Sequence, residues 1–340
     1  MTTCMWKEMR EGAAAIARQA DKQDARYAEL GARLRHTDPH ALVTVARGSS
    51  DHASAYLAYL TMQRLGRLSV SLPMSLVTLY DAPLDVAGTV AVAISQSGRS
   101  PDVVEPIKRF RQGRAQTVAL VNDAASPLAE AAEWTLPLEA GPEYAVAATK
   151  SYIASLAAGA RLVAHWADDA QLLNGLAALP DNLAKAQEVD WSHGVEVLQQ
   201  AERIMVVGRG LTLPVALEAA LKCKETAAIQ AEAFSGAEIK HGPMALIDEG
   251  YPLLIFAPRG PAQAGLIKLA EEMRGRGAKV LLAAPTDVAE RELTLPLGPV
   301  PELDPIAAVT AFYPMVEALA RARGYDPDQP RHLNKVTLTR

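Results

Sequence analysis

The feature that most constrains this chain is a regular alternation of short apolar runs and helical segments. Apolar runs at residues 42–46, 89–94 and 117–121 are each followed by a stretch of helical spacing. Runs this short, apolar at nearly every position and separated by helices, are typical of parallel strands buried on both faces. We therefore predict an α/β fold. Other expected elements are amphipathic helix over residues 5–35, helices over 52–65 and 102–112, and a strand near 76–80.

The second half of the chain repeats the alternation. Expected strands at residues 204–207, 253–257 and 279–283 lie about 160 residues after their counterparts, a spacing that equals a whole domain rather than a solenoid repeat. Two short sequences that occur in both halves support this offset. A Thr-Leu-Pro-Leu sequence occurs in both copies, at 135–138 and 294–297, and a Pro–Glu pair follows each, at Pro142-Glu143 and Pro301-Glu302.

These repeated sequences favour duplication of one α/β unit. We expect the join within residues 176–200, where residues 179–182 (Leu-Pro-Asp-Asn) would start a polar helix. The expected organisation is a helical segment (1–38), a first domain (39–180), a second domain (190–325) and a C-terminal segment that contributes to the active site (326–340).

Charge and cysteine content exclude several classes of function. The net charge of −5 provides no positive field for nucleic acid or an anionic membrane surface. Apolar runs such as residues 89–94 are far too short to span a bilayer, and no charged-then-apolar leader precedes the first helix. Cys4 and Cys223 are the only cysteines, which suits a reducing compartment. We therefore expect a cytoplasmic protein. No Cys or His pair has metal-ligand spacing, so we expect neither a metal nor a cofactor.

Potential acid, base and cation groups are concentrated in residues 216–243. Glu218, Lys222 and Glu225 stand at helical positions i, i+4 and i+7, so they share one helix face. The loop that follows contains His241, between Lys240 and Gly242. The charged stripe is as typical of a solvated, salt-bridged helix face as of a catalytic site.

Polar loops follow three expected strands, at residues 47–51, 95–100 and 208–212. Ligands bind at the carboxyl ends of strands in open parallel sheets. Loop 95–100 (Ser-Gln-Ser-Gly-Arg-Ser) combines three hydroxyls with a helix N-terminus and predicts an anion site. Ser49 and Ser50 suggest the same, although both loops are also compatible with ordinary Ser/Gly turns that cap helices. Because no P-loop or complete Gly-x-Gly-x-x-Gly is present, a small phosphate ester is favoured over a nucleotide.

Six segments together resemble the sugar isomerase (SIS) domain family, and most closely the isomerase half of glutamine–fructose-6-phosphate aminotransferases. The resemblance covers nearly the whole chain. It implies two tandem SIS domains, each a three-layer, flavodoxin-like parallel sheet flanked by helices. The matching segments are residues 47–52, 95–100, 146–150, 217–225, 238–243 and 331–335.

The resemblance also implies residue roles. Glu225 would move a proton between C1 and C2 of the sugar. His241 would open the sugar ring and would enter the site from the neighbouring subunit of a homodimer. Lys335 would form a Schiff base with the open-chain ketose. The residues that would bind or line the sugar phosphate are Ser49, Ser50, Ser95, Gln96, Ser97, Ser100, Val146, Ala148 and Lys222.

The residue types suit this chemistry independently. Histidine can both give and take a proton near neutral pH, and a carboxylate held on a rigid helix can move a proton between adjacent carbons. Three features depart from the family. Ala148 replaces a serine, and the serine that usually follows the C-terminal lysine is absent after Lys335, and both changes put the identity of the sugar in doubt. We also expect no glutaminase domain before the first SIS unit, because Cys4 is expected inside a helix.

We therefore expect a deaminase that converts glucosamine 6-phosphate into fructose 6-phosphate and ammonia. Several alternatives stay open at the sequence level. The substrate could be a galactosamine phosphate or a fructosamine phosphate. The chain could be an aminotransferase that uses free ammonia or a partner glutaminase. A non-catalytic sugar-phosphate sensor would need the serine loops, but it has no need of Glu225, His241 and Lys335 together.

Overall fold

The computed structural model describes residues 2–335, and the chain forms two compact units. Among the described residues, the N-terminal unit comprises 14–143, 150–177 and 334–335, and the C-terminal unit comprises 2–13, 144–149 and 178–333. Each unit is thus built from separated stretches of chain. The contiguous domain bounds given above remain predictions, and residues 336–340 of the expected C-terminal segment lie outside the described residues.

Residues 2–335 form ten strands and twelve α-helices. The strands are β1 (Ala41–Val45), β2 (Leu68–Ser71), β3 (Thr89–Ser95), β4 (Gln116–Val121), β5 (Trp134–Pro137), β6 (Arg203–Gly208), β7 (Gln230–Ser235), β8 (Pro252–Phe256), β9 (Lys279–Ala284) and β10 (Leu293–Thr294). The helices are α1 (Cys4–Arg10), α2 (Gly12–Thr37), α3 (Ser49–Leu65), α4 (Ser75–Thr78), α5 (Pro101–Gln112), α6 (Pro127–Ala131), α7 (Lys150–Ala167), α8 (Ala170–Ala186), α9 (Ser192–Leu198), α10 (Leu213–Ala227), α11 (Gln263–Gly275) and α12 (Asp304–Ala322).

The sheet of the N-terminal unit is parallel, with strand order β2-β1-β3-β4-β5. Its central strand β3 is buried at every position before Ser95, and both α3 and α5 pack against it. Val43, Ala91 and Ala119 on adjacent strands form one core with Ile107 and Phe110 of α5. The continuous apolar character of these strands follows from this burial on both faces.

The C-terminal unit has the same topology. Its parallel sheet has the order β7-β6-β8-β9-β10, in which each strand occupies the place of the strand five numbers earlier in the other sheet. Helices α10 and α11 pack against β6 and β8 respectively. The two copies of the Thr-Leu-Pro-Leu sequence lie at the equivalent strands β5 and β10. The predicted pair of α/β units with flavodoxin-like strand order is confirmed.

The strand predicted near residues 76–80 is wrong. The second strand is β2, and Ser75–Thr78 forms a single helical turn instead. Strand β2 lies at the edge of the sheet, where Leu68 is 72% exposed, so its sequence lacks the apolar run of a buried strand. Pro73 and Met74 start the helical turn, because their carbonyls accept hydrogen bonds from the amides of Leu76 and Val77.

The helix start predicted at residues 179–182 is also wrong, because these residues lie inside α8. Pro180 has no amide to donate to the preceding turn, and it ordinarily breaks a helix. Leu172, Leu176, Leu179 and Leu183 nevertheless form a stripe at helical spacing, each at most 1% exposed. We attribute the continuity of α8 through the proline to this packing.

One helical stretch of the described chain, Pro301–Ala322, is long and apolar enough by length and composition to cross a membrane. In the folded chain, 89% of its most apolar window is buried inside the protein. Phe312, at its centre, contacts Phe256 of β8 with the ring centroids 6.4 Å apart. The helix α12 therefore packs as a core helix of the C-terminal unit.

Candidate active site

The serine loop 95–100 leaves the carboxyl end of β3 and leads directly into α5. The Ser95 hydroxyl accepts a hydrogen bond from the Gly98 amide at 2.9 Å, and the Ser97 hydroxyl accepts one from the Arg99 amide at 3.4 Å. Gly98 has a φ of +62°, and a Cβ there would lie 2.1 Å from the Ser126 hydroxyl. The loop is therefore a compact turn whose shape requires glycine.

The N-terminus of α5 faces this loop. Pro101 occupies the first turn, and the N-cap residue Ser100 makes no side-chain capping bond to the helix. The positive end of the helix dipole and the amides of its first turn favour an anion here. Arg99 forms an ion pair with Asp123 at 2.9 Å, so its charge lies at the loop but is already partnered.

Ser49 and Ser50 form the first turn of α3, immediately after β1. Both are half-buried, and Gly48 before them takes a φ of +54°. Strands β1 and β3 are neighbours in the sheet, so α3 and α5 begin at the same sheet edge. In the order 2-1-3-4-5 this is the point where the strand order reverses, and ligands bind there in such folds.

Glu218, Lys222 and Glu225 of α10 form a buried charge chain. Lys222 Nζ lies 3.1 Å from Glu218 Oε1 and 2.7 Å from Glu225 Oε2. The side chains of Glu218 and Lys222 are fully buried, and that of Glu225 is 20% exposed. The Tyr313 hydroxyl of α12 also donates to Glu218, at 3.3 Å. The solvated-face interpretation of this stripe is therefore wrong.

The charges and burial of Glu218, Lys222 and Glu225 determine which of the three side chains can react. Burial by itself lowers the pKa of Lys222, but the adjacent carboxylates of Glu218 and Glu225 raise it above its ordinary value. Lys222 therefore stays charged and stabilises both carboxylates. Because only Glu225 is partly exposed, it is the carboxylate of the three residues that a ligand can reach. No sequence pattern indicated that Tyr313 donates a hydrogen bond to Glu218.

His241 ends the short 3-10 turn Glu238–His241 of the C-terminal unit. The turn is anchored by Ile239, which is fully buried, and by an ion pair between Lys240 and Glu272 at 2.6 Å. His241 itself is exposed. It is followed by Gly242, whose φ of +138° reverses the chain into a second turn, Pro243–Leu246.

Lys335 contacts a buried carboxylate that the sequence analysis did not place in the site. Lys335 Nζ donates to Glu143 Oε2 at 2.9 Å, and Glu143 also accepts hydrogen bonds from the amide and hydroxyl of Ser151. The only sequence signal for Glu143 was the repeated Pro–Glu pair. The remaining expected site residues, Val146 and Ala148, are half-buried in the segment 144–149 that belongs to the C-terminal unit.

The expected site residues thus divide between the units. The N-terminal unit holds the two serine segments, Gln96 and Lys335, and the C-terminal unit holds Val146, Ala148, Lys222, Glu225 and His241. Across the part of the chain that the structure describes, no group of three or more His, Cys, Asp or Glu residues is arranged to hold a metal ion.

Comparison with known proteins identifies the family. The SIS domain profile matches residues 37–164 and 197–294, which is more than half of the chain. The chain belongs to the SIS domain family. A Thermus thermophilus glutamine–fructose-6-phosphate aminotransferase is 35% identical to it over 324 residues, covering 90% of this chain and 53% of the relative. This SIS chain therefore spans about half the length of that relative.

Solved structures show the same architecture over nearly the whole chain. A Silicibacter pomeroyi protein whose name assigns it to the phosphosugar isomerases is 40% identical, with a TM-score of 0.92, and covers 96% of this chain and 100% of its own. A glucosamine-6-phosphate deaminase from Thermotoga maritima has a TM-score of 0.80 at 21% identity, covering 99% and 100%. At that identity the second similarity shows the fold alone.

Proposed function

We propose that this SIS protein is an isomerising deaminase of amino-sugar phosphates, with glucosamine 6-phosphate as its substrate. The observation that carries the proposal is the buried chain Glu218–Lys222–Glu225, which ends in one reachable carboxylate. Burying charged groups is unfavourable even when they are paired. A protein that only binds a sugar phosphate needs no such arrangement, whereas proton transfer between two carbons needs a carboxylate held rigidly.

The proposed reaction starts with the phosphate held by the serine loop and the start of α3. His241 transfers the proton that opens the sugar ring. Glu225 then moves the C2 proton of the open-chain amino aldehyde to C1. A second proton passes from the amine nitrogen to O1, which produces the C2 imine of fructose 6-phosphate. Hydrolysis of the imine consumes one water and releases ammonia, and Lys335 takes part by exchanging its own amine for ammonia at C2.

We also propose a cytoplasmic homodimer, in which His241, exposed in the single chain, serves the partner's site. A second candidate is an aminotransferase that runs in the opposite direction, from fructose 6-phosphate and ammonia to glucosamine 6-phosphate. It is favoured by the similarity to the Thermus thermophilus aminotransferase, of which this chain spans about half. Both candidates use the same proton transfer, so the direction of net flux separates them.

The decisive experiment supplies the purified protein with glucosamine 6-phosphate and measures ammonia and fructose 6-phosphate. We expect equal amounts of the two products. Galactosamine 6-phosphate and a fructosamine phosphate are supplied in parallel, because Ala148 leaves the identity of the sugar open. Fructose 6-phosphate with ammonium chloride tests the reverse direction. Folded protein that releases ammonia from none of these amino sugars would contradict the proposal.

The variant Glu225→Gln separates an enzyme from a sensor. It keeps the size of the side chain but removes the proton acceptor, so we expect turnover to fall about 10²- to 10⁴-fold while glucosamine 6-phosphate binding, measured by calorimetry, is retained. Glu249→Gln, on the exposed surface of the same unit, is the matched control and should leave turnover unchanged. Turnover by Glu225→Gln equal to the unaltered protein would exclude Glu225 as the base.

A further inference from the structure

Glu143 of the Pro142-Glu143 pair is a buried carboxylate that has no part in the proposed reaction. The Glu143 side chain is fully buried, although carboxylates are rarely buried without specific partners. One oxygen accepts the Ser151 amide at 3.1 Å, and the other accepts both the Ser151 hydroxyl at 2.7 Å and Lys335 Nζ at 2.9 Å. All three residues belong to the N-terminal unit.

The start of α7 explains why an ionised carboxylate is stable in this place. Helix α7 begins at Lys150 and runs for 18 residues, and Ser151 is its second residue. Amides in the first turn of a helix have no partner within the helix, and the helix dipole is positive at this end. Glu143 satisfies one of these amides, so its negative charge is compensated without water.

The backbone before Glu143 is also fixed. The Asn122 side chain donates to the Gly141 carbonyl at 2.8 Å and accepts from the Ala140 amide at 2.9 Å. Gly141 takes a φ of +73°, a conformation that other residues adopt only with strain. The carboxylate is therefore held from its own loop and from α7, and Lys335 reaches it from 192 residues away along the chain.

We propose that Glu143 positions the Lys335 amine and accepts its proton before the amine attacks the sugar. This inference rests on the proposed function. The Lys335 ammonium gives one proton to the Glu143 carboxylate, and the neutral amine adds to the C2 imine. Glu143 then returns its proton to the sugar nitrogen, and a second proton passes to that nitrogen from the lysine nitrogen of the adduct. The bond from C2 to the sugar nitrogen breaks, and ammonia leaves. The product is a protonated Schiff base with Lys335, which water hydrolyses to fructose 6-phosphate and the lysine ammonium.

The contact can be tested without any turnover. Acetic anhydride modifies exposed lysine amines, and mass spectrometry of peptides reports the rate at each lysine. We expect Lys335 to react several-fold faster in Glu143→Gln than in the unaltered protein, while the other lysines are unchanged. Glu302→Gln, at the equivalent Pro–Glu pair of the C-terminal unit, is the matched control. Equal Lys335 rates in the unaltered protein and Glu143→Gln would overturn the positioning role.

The proton-accepting role is tested by trapping the Schiff base with borohydride in the presence of fructose 6-phosphate. We expect the adduct at Lys335 to form at least about ten-fold more slowly in Glu143→Gln, because glutamine can accept a hydrogen bond but not a proton. Glu143→Asp, which keeps a carboxylate, should recover part of the rate. Inhibition by inorganic phosphate should be the same in all three proteins, which reports an intact phosphate site.

The outcomes separate the two proposals. An unaltered protein that releases ammonia and is trapped at Lys335, with Glu143→Gln trapped equally fast, would overturn the proton-accepting role and leave the proposed function standing. An unaltered protein that gives neither ammonia nor adduct would overturn the proposed function and the proton-accepting role together. The acetylation rates decide the positioning role in either case. Thermal unfolding of each variant shows whether the fold is retained.

Discussion

At the scale of single residues, the buried ion pairs of Lys222 make the strongest prediction about stability. It is a fully buried cation between two carboxylates, one of which, Glu218, is itself fully buried. Removing one member of a buried ion pair is far more destabilising than replacing both, since the charge that remains has neither water nor a partner. The stability of α10 and the position of the Glu225 carboxylate therefore depend on the same side chain.

Replacing Lys222 with Met tests this dependence. We expect the free energy of unfolding to fall by about 3–5 kcal/mol, because Glu218 is left buried and uncompensated. Urea denaturation followed by circular dichroism measures the change. Lys224→Met, at an exposed position of the same helix, is the control and should have little effect.

The double variant Glu218→Gln/Lys222→Met provides the internal check. It removes the buried charge that the single variant leaves behind, so it should recover part of the lost stability. If the loss of unfolding free energy in the double variant equals the sum of the losses in the two single variants, the coupling between these side chains is negligible.

Asp304 predicts a pH dependence of stability. It is 1% exposed at the start of α12, and burial raises its pKa to about 6 although Arg259 and the Gly298 amide donate to it. Between its unfolded pKa near 4 and its folded pKa near 6, the folded protein binds more protons than the unfolded chain. The contribution of Asp304 to stability is therefore complete below about pH 4 and is lost as the pH rises through about 6.

Comparison with Asp304→Asn isolates this contribution. The free energy of unfolding of the unaltered protein minus that of the variant should decrease by about 2–3 kcal/mol between pH 4 and pH 6.5, and stay constant above. Urea titrations at four pH values measure it. A difference that increases with pH over this range would show that the carboxyl group has a lowered pKa instead.

At the scale of elements, sequence patterns predicted the buried strands well and the exposed or interrupted elements poorly. Strands β1, β3, β4, β6, β8 and β9 are continuous apolar runs because both of their faces are covered. The edge strand β2 lacks such a run, and α8 continues through Pro180 because its leucines are packed. The first error arises because an exposed edge strand carries no apolar run, and the second because tertiary packing overrides the local signal of the proline.

The site shows the same limit. The spacing of Glu218, Lys222 and Glu225 predicted a shared helix face, but it could not distinguish a buried face from a solvated one. The Glu143–Lys335 pair joins residues 192 positions apart, and no local pattern encodes such a contact. What the sequence could supply was the repeated Pro–Glu pair, whose meaning depends on the position of α7.

The serine loop yields a prediction about its glycine. Gly98→Ala would place a Cβ 2.1 Å from the Ser126 hydroxyl and 2.9 Å from a Val121 methyl, at a φ of +62°. Gly66 is the matched control, because its φ is +65° and no atom lies within 4 Å of a Cβ there. We expect Gly66→Ala to cost about 1 kcal/mol of stability, and Gly98→Ala clearly more, on the order of 2–4 kcal/mol.

Gly98→Ala should also weaken the inhibition by inorganic phosphate, since the Ser95 and Ser97 hydroxyls are held by amides of this turn. Gly66→Ala should leave that inhibition unchanged. Thermal unfolding and inhibition assays on the two variants measure both effects. Equal losses of stability in the two variants would show that the loop relaxes around the added methyl group.

At the scale of the whole molecule, the two units share a topology but differ in chemistry. After β3 the N-terminal unit has Ser-Gln-Ser-Gly-Arg-Ser, whereas after the equivalent β8 the C-terminal unit has Ala-Pro-Arg-Gly-Pro-Ala. The second loop has no hydroxyls and two residues without an amide, so it cannot form the same cradle. Conversely, the carboxylates lie on α10, and the first turn of its counterpart α3 supplies serines. Under the proposed function, the N-terminal unit would supply the phosphate cradle, and the C-terminal unit would supply Glu225 and His241.

The proposed role of His241 in a partner's site makes a quantitative prediction for a homodimer. Glu225→Gln and His241→Asn should each be inactive alone. When the two variants are unfolded together and refolded at equal concentration, about half of the dimers contain one chain of each kind. Each mixed dimer then has one site with both an unaltered Glu225 and an unaltered His241, so about a quarter of the activity should return.

The alternative gives a different result in the same assay. If His241 acts within its own chain, each site of a mixed dimer lacks either Glu225 or His241, and no activity returns at any mixing ratio. Refolding each variant alone is the control for the procedure, and sedimentation measures the dimer content. Because the Lys240–Glu272 ion pair helps to hold the exposed turn of His241, Lys240→Met should lower the recovered activity, while the free energy of unfolding falls by at most about 1 kcal/mol.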